Sequence, residues 1–296
     1  MNIPFIKYRR IYYIFSAGLI LFSLYALIFF SLKFGIDFTG GSFLEVEFLG
    51  ERPSNQEIEG KLSGLDLGSF VVQPTGEKGL IVKMKDIPEQ THQEVLNRLG
   101  EVKELRFESI GPVIGKELED KTKVFTALAL FGIVCYIALA FGKISWPLAS
   151  WQYGLITALV ALFHDLVIPL GAFAFLGKLQ NVQITIPIVV GLLTILGYSV
   201  HDTIVVFDRI RENLSKIREK SFEEIVNISL NQTLVRSLST SLTVLFVLLS
   251  IFFFGGETLR YFSLGLIFGV ICGTYSSIFI ASPLLVTWFE FKQRKA

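Results

Sequence analysis

The sequence predicts an α-helical membrane protein with six transmembrane helices and a small α+β domain between helices 1 and 2. Three observations carry this. The 296 residues are 52% hydrophobic, with 28 Phe and a mean hydropathy of +0.58, too apolar for an ordinary water-soluble chain. The apolar residues gather into six runs of about 20, the length at which a helix crosses a bilayer core. One long stretch between the first two runs breaks that pattern and carries short strand-like and helix-like periods of its own.

The runs cover residues 11–32, 124–142, 150–176, 183–207, 238–254 and 261–289. The last is long enough to tilt or to extend past the bilayer. The first follows Lys7, Arg9 and Arg10, as a signal peptide would. It is too long for a typical signal core and no A-x-A site closes it, so it is expected to stay as an anchor. Lys and Arg set the orientation. With the N-terminus inside, the inner segments hold 13 of them, among them Lys143, Arg209, Arg218 and Arg236. The short outer loops and the approach to the second span hold Lys121, Lys123, Lys178 and Arg260. Both termini are therefore expected in the cytoplasm, in a multi-pass protein of the bacterial inner membrane in contact with lipid.

Three segments follow: residues 1–33, the N-terminus and first helix; 34–120, a soluble domain outside; and 121–296, helices 2–6 and the C-terminus. Residues 33–120 contain 10 Lys and Arg against 17 Asp and Glu, net −7. An acidic outer domain argues against nucleic acid as a ligand. The pattern SFLEVEFL (Ser42–Leu49) alternates as a strand. SNQEIEGKL (Ser54–Leu62) reads as a helix, with Ser54 and Glu57 spaced as a capping box. SFVVQ and LIVKM read as strands around a turn at Pro74–Gly79. Pro88–Gly100 reads as a second helix, with Pro at its start and Gly at its end. Val102–Ile110 closes with a strand. The order β-α-β-β-α-β is the ferredoxin-like arrangement. Gly40-Gly41 before it reads as a tight turn. Gly111-Pro112 ends the domain, and GKELEDKTK is expected to lead into the second span as a polar helix or linker. The inner segment Asp208–Arg236 is expected to lie on the surface as a helix.

Chemistry is confined to few residues. His164-Asp165 lies within the third apolar run and His201-Asp202 within the fourth. A carboxylate at the centre of a span costs at least ~2.5–3.5 kcal/mol, so it normally faces the bundle interior and a partner. Asp202 stands about five residues from the end of its run, ~8 Å at 1.5 Å per residue, whereas Asp165 is near mid-span. Their depths do not match without tilt. Two readings stand: interhelical hydrogen bonds, or a proton or ion relay that biases a conformational equilibrium. A metal site of two His and two Asp has suitable ligands, but adjacent residues on a helix point apart. Tyr198, one turn before Asp202, is placed to bond it. Arg236, before the fifth run, reads as a positive-inside anchor, with an ion pair to Asp202 geometrically open. Gly265, Gly269, Gly273, Ser277 and Ala281 form a stripe spaced by four, a surface for close helix packing. Cys135 and Cys272 lie in apolar runs and read as small core residues. No GxxxxGK[ST] loop, GxSxG motif or paired-Cys motif occurs, so no ATP-driven or enzymatic chemistry is indicated.

Three stretches resemble a known family. GIDFTGGS (Gly35–Ser42), ESIGPVIGKEL (Glu108–Leu118) and GYSVHDTIVVFDRIREN (Gly197–Asn213) are similar to the SecD/SecF family of bacterial protein-export membrane proteins, over essentially the whole chain. The short soluble region points to its SecF branch rather than to SecD. The resemblance implies a SecD partner in a pseudo-symmetric twelve-helix unit of the resistance-nodulation-division superfamily. It implies assistance to the Sec translocon channel and engagement of unfolded secretory polypeptide, driven by the proton gradient, with sodium the alternative ion, and with no bound cofactor. It also implies that Asp202 is the important membrane carboxylate and Arg236 the important arginine of the next span. Asp165 falls in a family-like pair, and His201 is not given an essential role. The competing functions are an ion-coupled small-molecule exporter of the same superfamily and an intramembrane metal-dependent enzyme.

Overall fold

A computed structural model describes residues 3–140, 157–217 and 219–295. The start of the third apolar run (150–156), the end of the second (141–142), Lys143 and Arg218 lie outside the described residues. The chain divides into two compact units, Phe34–Phe125 and, from both its flanks, Met1–Lys33 with Thr126–Ala296. The first membrane helix, α1, spans Arg9–Phe30.

The unit 34–125 opens with a single helical turn, α2 (Ile36–Thr39), then β1 (Gly41–Phe48), α3 (Asn55–Leu62), β2 (Val71–Thr75), β3 (Gly79–Met84), α4 (Glu89–Leu99) and β4 (Val102–Ile110). The four strands form one antiparallel sheet in the order β2-β3-β1-β4. That is the ferredoxin-like layout the periodicity implied. Alternation along β1 buries Leu44, Val46 and Phe48 on one face, where they meet Ile58 and Leu62 of α3 and Val95 and Leu99 of α4. A register shift between Glu45 and Val46 bulges β1 against β4, which adds local twist. Ser54 caps α3 by accepting from Glu57 N–H at 3.3 Å. The reciprocal half of the capping box is replaced, because the Glu57 carboxylate reaches forward to Lys61 at 3.2 Å.

The Gly40-Gly41 pair is required for two reasons. Both have positive φ, +71° and +126°, a region costly for any residue with a Cβ. A Cβ on Gly40 would also sit 2.8 Å from Pro112 Cα, and one on Gly41 2.7 Å from the Met84 carbonyl oxygen. Ser42 and Ser109 hydroxyls meet at 2.6 Å, and Ser109 donates to Asp86 at 2.6 Å. The GGS and ESIGP stretches, nearly 70 residues apart, are thus one packed corner.

α5 (Pro112–Ala140) is a continuous 29-residue helix. GKELEDKTK is its polar part and no separate linker, held by Glu117–Lys121 and Glu119–Lys123 pairs at 2.7 Å each. The remaining helices are α6 (Thr157–Gln180), α7 (Ile186–Lys216), α8 (Phe222–Phe254), α9 (Gly256–Ser276) and α10 (Ser282–Lys295), the last two joined by a π-helical turn at Ser277–Ala281. Six helical stretches among the described residues are long and apolar enough to cross a membrane: Ile6–Phe30, Pro112–Leu139, Leu159–Gln180, Ile186–Lys216, Phe222–Phe254 and Leu259–Arg294. This is a multi-pass membrane protein. The segment 208–236 is not a separate surface helix. α7 runs on to Lys216 and α8 already starts at Phe222, where Ser221 and Glu224 form a complete capping box. The cap satisfies the helix's first amides, so α8 begins well before its apolar run.

Small residues set the helix spacing. A Cβ on Gly171 of α6 would meet Ser23 Cα of α1 at 2.5 Å. A Cβ on Gly269 of α9 would overlap the Ile195 side chain of α7, and one on Gly273 would sit 2.8 Å from Ser199 Cβ. Gly265 faces Phe173 of α6. The stripe on the last span is therefore the seam along which α9 lies against α7 and α6. Ahead of α1, the N-terminal segment is tied down: Ile3 N–H donates to Asn231 Oδ1 at 2.8 Å, Asn231 Nδ2 returns a bond to Ile3 O at 2.9 Å, and Arg9 forks onto Glu290 at 2.7 and 2.9 Å.

Candidate functional site

The site is assembled where α6, α7, α8 and the end of α9 meet. Asp202 of α7 is 8% exposed and Asp165 of α6 is 1% exposed. Among the described residues no Lys or Arg forms an ion pair with either; both are held by hydroxyls, and Asp165 also meets His164. Asp202 Oδ1 accepts from Ser237 of α8 at 2.7 Å, and Asp202 Oδ2 accepts from Ser277. Asp165 Oδ2 accepts from Ser199 of α7 and from Ser276 at 2.7 Å, and Asp165 Oδ1 lies 2.8 Å from His164 Nδ1. Hydrogen bonds to a charged acceptor contribute ~1.5–3 kcal/mol each. Two of them are of the same size as the ~2.5–3.5 kcal/mol cost of a carboxylate within a span, so hydroxyl donors can hold each Asp there without a Lys or Arg partner.

Helix geometry places these groups. Ser199 and Asp202 are three apart on α7, so they share a face; one serves Asp165 and the other is served from α8 and the last span. Ser276 and Ser277 are consecutive, about 100° apart around the axis, and reach the two different carboxylates. The π-turn begins at Ser277, and Ser282 donates to Ser277 O at 2.9 Å across five residues. Such local widening of a helix recurs at functional sites. A second hydroxyl chain lies alongside: Tyr198 OH to Ser241 Oγ at 3.0 Å, and Ser241 Oγ to Thr274 Oγ1 at 2.5 Å.

Several expectations need adjustment. The mismatch in depth between Asp165 and Asp202 disappears, because both carboxylates are reached from one dipeptide. The Asp202–Arg236 ion pair is not formed. Arg236 is exposed, and its neighbour Ser237 is the α8 residue that turns inward to Asp202. The two point about 100° apart around α8, and here Ser237 takes the inward direction. Tyr198 bonds Ser241 rather than Asp202. His201 is exposed and points away from the bundle, while His164 is buried, with its ring stacked on Tyr275 at 5.8 Å. The two His-Asp pairs do not converge, and among the described residues no group of three His, Cys, Asp or Glu could hold a metal.

Sequence reasoning missed the serines. Ser199, Ser237, Ser276 and Ser277 hold the carboxylates, and of these the sequence pattern marks only Ser277, as a small packing residue. The signal was present: hydroxyls are unevenly spaced in the apolar runs, with SLSTS at Ser237–Ser241 and TYSS at Thr274–Ser277.

These features define the class first: a multi-pass helical membrane protein with two carboxylates held inside its bundle by hydroxyl donors. A profile of the family described as "Protein export membrane protein SecD/SecF, C-terminal" matches residues 91–291. Proteins named "Protein translocase subunit SecF" from Thermobaculum terrenum and Anaerolinea thermophila are 43% and 38% identical, over 97% and 95% of this chain and 94% and 92% of their own lengths. The crystal structure of SecDF from Thermus thermophilus, described as a translocon-associated membrane protein, superposes with a TM-score of 0.84 at 31% identity. That match covers 98% of this chain and 39% of the SecDF chain, so this chain corresponds to part of that longer protein. The chain belongs to the SecF family of protein translocase subunits.

Proposed function

We propose that this chain acts as a SecF subunit of the Sec protein-export machinery, working with SecD to promote late polypeptide translocation across the cytoplasmic membrane at the expense of the proton gradient. It performs no enzymatic reaction in this role. Its partners are SecD, the Sec translocon channel and the unfolded secretory polypeptide, and both termini face the cytoplasm. The single observation that carries the coupling is the placement of Asp202. A carboxylate buried on α7 and gripped from two other helices changes those grips when it takes a proton, and so biases their packing. Arg236 and Asp165 belong to the same path. Arg236 is exposed on this bundle, which supports a contact with a second protein, and its attraction to Asp202 would require α8 to turn. Protons are the coupling ion, with sodium as the alternative.

The test is Asp202→Asn in membranes held at a fixed proton gradient, with export of a secretory protein as the readout. Export should fall several-fold toward the level seen without a gradient. Unchanged export sinks the role of Asp202, and export that follows a sodium gradient instead reassigns the ion.

A further inference from the structure

We infer that Asp165 and Asp202 titrate as one coupled pair, and that the dipeptide Ser276-Ser277 is the element that couples them. The inference rests on the reading of Asp202 as a proton-holding group and adds a second group and the device that joins the two.

The geometry of the serines carries it. Ser276 Oγ lies 2.7 Å from Asp165 Oδ2 and 3.2 Å from the Gly273 carbonyl oxygen. Ser277 Oγ bonds Asp202 Oδ2 and also lies 3.0 Å from the Thr274 carbonyl oxygen. A hydroxyl has one proton to donate and can accept as well. With the carboxylate ionised, each serine donates to it. With the carboxyl protonated, the carboxyl O–H donates to the serine oxygen, and the serine proton turns to the carbonyl three residues back. Each serine thus has both acceptors it needs, without moving its heavy atoms. No such second acceptor lies in reach of Ser199 or Ser237 among the described residues.

The two switches share a backbone. Gly273 and Thr274 are consecutive, as are Ser276 and Ser277, and the π-turn starts at the second of them. Turning one hydroxyl onto its carbonyl changes the bonding of the segment that carries the other. Ser199 provides a second link, since it donates to Asp165 from the helix that bears Asp202. The titratable groups around the pair are His164 on α6, Tyr198 on α7, and Cys272 and Tyr275 on α9. Among the described residues, no Lys or Arg forms an ion pair with either carboxylate.

The experiment is infrared difference spectroscopy of the full chain, following the carbonyl stretch of the protonated carboxyls against pH. Asp165→Asn and Asp202→Asn assign the two signals. The Asp165 midpoint should move by about one pH unit or more when Asp202 is replaced, the scale at which two sites titrate as a pair. In an S276A/S277A background that movement should shrink to less than half. If the double variant does not fold, the S276A and S277A single variants give the same comparison. An Asp165 midpoint indifferent to Asp202→Asn overturns the coupling, and a full shift without the serines overturns their role. The spectrum is read without export, so unchanged export in D202N with an intact shift would discard the function of Asp202 and leave the coupled pair standing.

Discussion

Gly269→Ala adds one methyl group at the tightest point of the α7–α9 seam. The new Cβ would overlap the two branches of Ile195, and it would lie 2.8 Å from Ile195 Cβ. The branches could rotate away. Ile195 Cβ cannot, because the α7 backbone fixes it, and 2.8 Å is well inside van der Waals contact. The two helices must therefore part by several tenths of an ångström. Ile195 is 2% exposed, so its side chain cannot swing out into open space to relieve the contact. Overpacking of this kind costs about 1–3 kcal/mol. Ile195→Ala alone should cost roughly 2–5 kcal/mol through its cavity. In the double variant the two volumes partly cancel, giving a favourable coupling energy in the range of about 0.5–3 kcal/mol. The assay is reversible unfolding of the purified protein in mixed micelles for the wild type, both single variants and the double variant. A Gly269→Ala protein within about 0.5 kcal/mol of wild type, or strictly additive variants, would refute the claim that Gly269 sets the helix separation.

Three further outcomes are expected. Gly41→Ala should destabilise the unit 34–125 by at least ~1–3 kcal/mol, from its left-handed backbone alone, with the clash against Met84 O added; hydrogen exchange of β1 and β3 amides would report it. The Glu89 carboxyl is held below the ordinary glutamate range, first by the Gln93 amide at 2.6 Å and then by His92 at 3.2 Å. Its folded pKa is depressed, so its contribution is present above the unfolded glutamate value and fades as pH falls through the folded one; Glu89→Gln should flatten the acid side of the stability-against-pH curve of the unit 34–125, and an unchanged curve would exclude the effect. Asn231→Ala removes both bonds to Ile3, worth about 0.5–1.5 kcal/mol each, and should raise amide exchange in residues 3–8 while leaving α6 and α9 unaffected.

Much was legible in the one-dimensional pattern. Six apolar runs specify six helices because a bilayer offers no partner for an unpaired amide, so a span must satisfy its own backbone. Alternation in SFLEVEFL fixes a half-buried strand, because side chains of successive residues leave a strand on opposite faces. Asp165 and Asp202 stood out because an ionisable group in an apolar run is expensive. Helix ends do not follow hydropathy. The apolar run preceding Phe254 begins near Leu238, but α8 begins at Phe222, because the cap at Ser221 rather than hydropathy decides where it starts.

The sequence by itself determined the six apolar spans, the ferredoxin-like domain between the first two and the two carboxylates worth asking about, since each depends on local period or on the cost of burying charge. Only the tertiary structure decided what those carboxylates touch. A hydrogen bond is a matter of a few ångströms between helices distant in sequence, and neighbours such as Arg236 and Ser237 differ in facing by about 100°. Hydropathy disfavours turning Arg236 inward, but it does not say what Ser237 would touch. The fold chose the serine, and it placed Ser276 and Ser277 so that one helix reaches both acids.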